Sequence, residues 1–416
     1  MIDARRFGAV WLLRFAIVTV LTGIGAGIGG LLLTLLLRAV EHLALGYSSG
    51  TLLEGAESAP AWRRFAVVTV AGVVGALGWY AIRRWGSPIA SIKKSVNGRR
   101  MPWPSTLANV VLQIVVVGLG ASVGREVAPR ELGALLAGWL SERVGLSARD
   151  RRIIIACGAG AGLAAVYSVP LGGTLFAVEI LLAEVSISTV VPALAASAIA
   201  TLVASVVVPG APLYSAQQFS LSPAILVGSL VLGPVLGVAS AGFVWCVRRA
   251  QHIRPAGWHI LVVMPVVFAG VGVLAFFWPA VLGNGRSLGQ LAFDGALPLG
   301  TFVLLSLIKA VATTATIGAG AAGGTLTPSL SIGAGLGASA GLIWAALWPG
   351  APIGAFALIG SAAFLAANMR APLTGLVLVV EFTHEGVSLL PALLLAVAGA
   401  SLLQYLIEHR RLTGVA

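Results

Sequence analysis

Apolar residues in this chain come in long runs, not in the alternation of a strand or the single stripe of a surface helix. The runs fall near 8–38, 65–82, 104–124, 131–141, 153–167, 170–183, 188–208, 222–247, 258–283, 299–317, 326–348, 353–368, 372–382 and 387–407. A helix needs about 20 apolar residues to cross a bilayer, and several runs reach that length while others fall short. Backbone in hydrocarbon must satisfy its own hydrogen bonds, so the runs predict helices. The run 8–38 is too long for a signal-peptide core and lacks a clear cleavage site. It reads as a retained spanning helix, long enough to tilt.

The runs repeat. Gly158 to Glu179 reads GAGAGLAAVYSVPLGGTLFAVE and Gly360 to Glu381 reads GSAAFLAANMRAPLTGLVLVVE, at a constant offset of 202. Gly158/Gly360, Pro170/Pro372, Leu171/Leu373, Gly173/Gly375 and Glu179/Glu381 are identities. Small residues coincide easily in Gly- and Ala-rich sequence; the Pro-Leu-x-Gly core and the terminal Glu do not. Upstream, Gly124 and Gly133 match Gly324 and Gly333 at an offset of 200. The expectation is a first membrane repeat over 1–208, a linker over 209–221 and a second repeat over 222–416. Short, Gly- and Pro-interrupted apolar segments in matching positions of two halves point to a binding site near the bilayer midplane.

Composition agrees with the runs. The chain is 58% hydrophobic and 10% charged, against about 25% charged in soluble domains. Its net charge of +12 raises nucleic acid as a partner, but the placement of the charge argues otherwise. Basic residues cluster between apolar runs: Arg5 with Arg6, Arg83 with Arg84, Lys93 with Lys94, Arg99 with Arg100, Arg149 to Arg152 around Asp150, Arg248 with Arg249, and Arg410 with Arg411. That is the positive-inside pattern. It predicts a multi-pass protein of the cell's inner (plasma) membrane with both termini cytoplasmic and the Lys/Arg-free stretch 209–221 outside. The two halves then have opposite orientation. Cys157 and Cys246 both lie in apolar runs, which argues against a disulfide framework. His42, His252, His259, His384 and His409 lack metal-ligand spacing, so no metal or cofactor is expected. The chain ends soon after its last apolar run, which predicts no soluble C-terminal domain.

Three loop-to-helix junctions carry candidate chemistry. In Gly86-Ser87-Pro88-Ile89-Ala90, Ser87 and Pro88 fit an N-cap and a first helical position. In Gly124-Arg125-Glu126-Val127-Ala128-Pro129, an Arg-Glu pair sits between the apolar stretches 107–121 and 132–141. Ionisable groups at membrane depth cost about 2.5–3.5 kcal/mol each on insertion scales. Gly323-Gly324-Thr325-Leu326-Thr327-Pro328 follows the Gly/Ala run 318–322. Glycine permits close approach of backbone to a ligand, and the free N–H groups of a following helix face an anion. Partial charges hold an anion weakly enough to let it leave, as conduction requires. Each junction also has a plainer reading. Membrane glycines serve helix packing, Ser87 could be only a cap, and Arg125–Glu126 could be a structural ion pair. All three junctions in one duplicated chain favour an anion path in which the Glu126 carboxylate is a built-in competitor.

At these residues the chain resembles the CLC family of chloride channels and proton/chloride antiporters. The family's anion motifs GSGIP, GREGP and GxFxP stand here as GSPIA at 86–90, GREVA at 124–128 and GTLTP at 324–328. The segment Pro-Leu-x-Gly-x-Leu-Phe-x-x-Glu at 170–179 matches too, and the likeness runs from about 15 to 405. It implies an all-α integral membrane protein: an inverted repeat of two helical halves, with tilted and broken helices meeting at a midplane anion site. It also implies one pore per subunit and a homodimer in the lipid bilayer. By this resemblance Ser87 would offer its hydroxyl to a central chloride, completed by the N–H groups of Thr325 and Leu326. The N–H groups around Arg125, Glu126 and Val127 would serve an outer chloride. Glu126 would be the gate, occupying an anion site when ionised and leaving it when protonated. The chain departs from the motifs at Pro88, Ala90, Ala128 and Leu326, and Pro129 comes one residue late. Tyr405 is the one candidate for the family's chloride-binding tyrosine, and it aligns too early; its other reading is an interfacial aromatic.

Many proton-coupled members carry a further glutamate directly after the Glu of Phe-x-x-Glu. Here that position is Ile180, which leans toward passive or weakly coupled chloride conduction, while Glu126 keeps proton-linked transport open. Glu179 and Glu381 read as structural. Lys309 either adds positive potential to an anion path or pairs with a buried acid. Arg370 reads as interfacial. Ser87 separates the chain from fluoride-selective relatives, which typically lack that serine. An intramembrane enzyme would need a Gly-x-Ser-Gly or HExxH constellation, and neither occurs. A cation-coupled solute transporter would need more intramembrane acids.

Overall fold

The computed structural model describes residues 8–208, 210 and 212–413. Arg5 and Arg6, Pro209 and Ala211 of the linker, and the side chains of Arg410 and Arg411 lie outside the described residues. The chain is helical throughout: α1 (Ala9–Leu45), α2 (Leu52–Ser58), α3 (Ala61–Trp85), α4 (Ile92–Val96), α5 (Trp103–Gly118), α6 (Val127–Val144), α7 (Ala148–Tyr167), α8 (Pro170–Leu175), α9 (Ile187–Ala204), α10 (Pro223–His252), α11 (Ile260–Phe277), α12 (Arg286–Phe293), α13 (Leu299–Gly318), α14 (Leu326–Leu347), α15 (Ile353–Met369), α16 (Pro372–Thr383) and α17 (Leu390–Thr413). Among the described residues the one isolated β pairing joins Gly124 to Gly324. Among the described residues, eight helical segments are long and apolar enough to cross a membrane by length and composition. Large apolar side chains stand exposed on them, among them Leu13 of α1, Val266 of α11 and Leu307 of α13, as expected of surfaces whose solvent is lipid.

Packing divides the chain into two units. Met1–Leu35, Trp85–Val111 and Val127–Ala211 form the first; Leu36–Arg84, Leu112–Glu126 and Pro212–Ala416 form the second. The units differ from the sequence halves, because 36–84 and 112–126 pack with the second half of the chain.

In the first unit α7 is the central helix. Ile153 to Tyr167 are all buried, against α6 and α9. Ser147 caps α7 by accepting the Asp150 N–H at 3.2 Å. The helix is lined with Gly and Ala because its neighbours approach to backbone contact. A Cβ on Gly133 would strike the Gly158 carbonyl, and one on Gly158 would strike that of Gly133. Close approach through small residues is how membrane helices gain packing energy where no hydrophobic drive operates between them. α7 ends at Ser168 in the left-handed region, φ 56°. Pro170 restarts the chain as α8, which continues as a wider π-helical stretch, Phe176–Leu182.

The second unit repeats this design around α15. Gly354 to Ala367 are all buried, against α14, α10 and α17. A Cβ on Gly333 would strike the Gly360 carbonyl, and one on Gly360 that of Gly333, as with Gly133 and Gly158. α15 ends at Arg370 with φ 53°, and Pro372 opens α16. Ser168 and Arg370 thus make the same left-handed break at the 202-residue offset. The structure gives Arg370 a partner: its guanidinium pairs with Glu408, which also takes Arg248 at 3.3 Å.

One expected helix start is corrected. Ser87 does not cap a helix, since residues 87–90 are non-helical. Ser91 caps instead, accepting the Lys94 N–H at 3.4 Å, and α4 begins at Ile92.

Candidate anion site

The site is built where two loops of the second unit are tied together. α5 ends at Gly118, and the irregular stretch 119–126 leads toward α6. The stretch 319–325 does the same between α13 and α14. Gly124 N–H donates to the Gly324 carbonyl at 2.8 Å, and Gly324 N–H donates to that of Gly124 at 2.9 Å. This reciprocal pair joins two residues 200 apart in sequence.

Glu126, fully buried, reaches across the junction. Its Oε1 accepts the Leu326 N–H at 2.8 Å, and its Oε2 accepts the Thr327 hydroxyl at 3.3 Å. Leu326 is the first residue of α14 and Thr325 its N-cap position. The carboxylate therefore sits where the unpaired N–H groups and positive end of a helix dipole would receive a free anion. The two glycines make the slot. A Cβ on either Gly124 or Gly324 would fall on the carboxylate oxygens. The first turn of α14 carries no Lys or Arg, so that turn offers the carboxylate partial charges.

A buried cation fixes the loop behind it. Lys309 of α13 is fully buried, and its ammonium donates to Ser122 Oγ at 2.9 Å, Val281 O at 2.9 Å and Gly283 O at 2.6 Å. The pairing with a buried acid is therefore corrected: three neutral oxygens take its three N–H donors. Ser122 lies two residues before Gly124, so Lys309 ties the loop that carries the slot to α13 and to 281–283.

Arg125 belongs to a second polar group in the same unit. It acts electrostatically on Glu41, together with Arg286 and Arg38, and the Tyr47 hydroxyl lies 3.4 Å from Glu41. Burial, then the Glu41 charge, holds the Tyr47 phenol well above its usual range. Burial, then Arg125, lowers Arg286. Arg286 Nε donates to the Leu213 carbonyl at 3.1 Å.

The other sequence candidates lie as follows. Thr325 is half-buried, and its hydroxyl accepts Asn368 Nδ2 at 3.2 Å. Val127 opens α6 in the first unit. Ser87, also in the first unit, is exposed, and its N–H donates to Ser105 Oγ at 2.8 Å. Tyr405 stands 60% exposed on α17 with its ring stacked on His409. Cys157 is buried and Cys246 exposed, both free. Sequence reasoning missed Thr327, Ser122 and Glu41. Thr327 had a signal, a hydroxyl on the second residue of a helix that starts after Gly-Gly. Ser122 and Glu41 had none.

Comparison with known proteins bears on the chain as a whole. Residues 72–405 match the family model described as voltage gated chloride channel. A relative described as voltage-gated ClC-type chloride channel ClcB, from Citrobacter koseri, is 30% identical over 378 residues, 88% of this chain and 89% of the relative. ClcB of Escherichia coli O157:H7 is 30% identical over 375 residues with the same coverage. Among solved structures, a slow cyanobacterial Cl⁻/H⁺ antiporter superposes with a TM-score of 0.81 over 96% of this chain and 98% of its own, at 21% identity. A CLC-type fluoride/proton antiporter gives 0.76 over 95% and 96%, at 20% identity. The fold, the anion motifs and the match over most of its length agree: the chain is a multi-pass membrane protein of the voltage gated chloride channel family, CLC.

Proposed function

We propose that this protein passes chloride across the plasma membrane through a CLC-type pore gated by Glu126, with both termini cytoplasmic, the linker 209–221 outside, and two subunits per assembly. Chloride transport follows from the family, whose members are channels and transporters. The observation that carries the gate is the Glu126 carboxylate on the Leu326 N–H. An ionised carboxylate there holds the place of a chloride, and a protonated one loses its charge-assisted hydrogen bond, about twice as strong as a neutral one, and yields. Thr325 and Leu326 are assigned as chloride ligands by their place at the start of α14. Ser87, Arg125 and Val127 are assigned by the motifs GSPIA and GREVA alone. Conduction without tight proton coupling is favoured because Ile180 stands where many coupled members carry a glutamate. Antiport is the second reading, supported by retention of Glu126 itself.

The test is chloride efflux from proteoliposomes across a range of pH. Wild type should speed up as pH falls, because protonation frees the slot. Glu126→Gln should be fast and flat with pH. An unchanged rate and an unchanged pH profile in Glu126→Gln would remove Glu126 from the gate.

A further inference from the structure

An apolar groove of about 740 Å³ lies in the second unit between α10, α11 and α13, with α14 and α15 as its floor. Its size is that of small-molecule sites, roughly 300–1,000 Å³. Cys246, Ile253, Val263, Val311 and Gly318 line its walls and Leu336 its floor. Ile253, Val263, Leu307 and Val311 are exposed, so the groove opens sideways, along helices long and apolar enough to span.

One end of the groove differs in chemistry. It closes at the C-terminal ends of α10 and α13, where Ala250, Ile253, Gly318 and Ala319 line it. Arg249 and His252, exposed, flank Ala250 and Ile253 in sequence. Arg254 donates to the carbonyls of Ile317 at 3.0 Å and Ala321 at 3.3 Å, and Arg83 donates to that of Gly320 at 2.8 Å. Arg254 and Arg83 thus gather at the carbonyl end of α13, where positive charge is favoured. The chain from Ala239 to Leu336 holds one acid, Asp294, which accepts from Gln290 at 2.9 Å. Trp258, 59% exposed, stands at the start of α11 on this same end, as an aromatic does at the edge of a bilayer. An apolar trough running along spanning helices to a basic, aromatic rim has the polarity profile of a phospholipid.

We propose that this groove binds an anionic phospholipid, with an acyl chain along Cys246, Val311 and Leu336 and the phosphate at its basic end, beside Arg249 and Arg254. Glu408 of α17, the acid beside this end of α10, is paired with Arg248 and Arg370, so a zwitterionic lipid would fill the apolar part while its cationic headgroup met a rim of net positive charge. α14, whose first N–H holds the Glu126 carboxylate, is the groove's floor, so an occupied groove also packs the helix that carries the anion slot.

The test is native mass spectrometry of the full-length protein offered equimolar phosphatidylglycerol and phosphatidylcholine. Wild type should retain phosphatidylglycerol preferentially, by about fivefold for each basic residue engaged at an anionic surface. Arg249→Glu, an exposed change that leaves the core intact, should bring the preference close to unity. Ala310→Phe, which fills the groove, should lower retention of both lipids. Cys246 gives a second readout, since Cys157 is fully buried: N-ethylmaleimide should label it more slowly in phosphatidylglycerol nanodiscs than in phosphatidylcholine nanodiscs. Equal retention of the two lipids by wild type, or a preference that survives Arg249→Glu, overturns the proposal. Labelling of Cys246 that depends on protein density and not on lipid charge overturns it too, in favour of a second copy of the chain.

Discussion

At the scale of single residues, the site uses a tethered anion and a buried cation for different ends. Glu126 was legible from the sequence because a carboxylate between apolar stretches needs a partner. Its partner was not legible: Leu326 and Thr327 lie 200 and 201 residues away. Lys309 stood out for the same reason as Glu126, yet an acid was the wrong partner to expect. An ammonium has three donors, and two carbonyls and a hydroxyl from irregular backbone satisfy all three without a second buried charge. Lys309→Met keeps most of the side-chain volume and strands those oxygens, at about 1–3 kcal/mol for each buried group left unsatisfied. The variant should unfold at a clearly lower temperature than wild type in a thermal scan in detergent. Ser122→Ala, which removes one of the three acceptors, should cost less. An unchanged midpoint in Lys309→Met would deny the lysine its role in holding the loop.

Among the elements, the apolar runs and the helices agree closely, for a physical reason. Backbone in lipid has no partner but its own segment, so a long apolar run has one regular solution. The run 299–317 became Leu299–Gly318 and the run 353–368 became Ile353–Met369. The short polar helices α2, α4 and α12 gave no such signal, because capping and tertiary contact decide them; Ser91 in place of Ser87 is the local case. The repeated glycines proved to be contact points. Gly360→Val should jam α14 against α15, and overpacking of this kind typically costs about 1–3 kcal/mol and occasionally more. Gly242→Ala and Gly270→Ala meet no atom within 4 Å and should be silent. Size-exclusion profiles of the three purified variants check this, with aggregation expected only for Gly360→Val.

For the whole molecule, the open matter is what moves with chloride. With Ile180 in place of a second carboxylate, the reversal potential in a bilayer under a chloride gradient should follow chloride alone. A pH gradient should leave it where it was. A shift with pH would establish exchange and add proton carriage to the gating role proposed for Glu126. The sequence by itself determined the solvent of this protein, its helical class, its internal duplication and the three junctions worth watching. Run length, charge placement and a constant offset are local properties that survive without a fold. Only the tertiary structure decided that the Glu126 carboxylate rests on the start of α14, that Gly124 and Gly324 shape its slot, that Lys309 ties down the loop, and that a basic rim closes an apolar groove. Each of those depends on groups far apart in the chain being brought within hydrogen-bonding or van der Waals distance, and no periodicity along one segment encodes its partner in another.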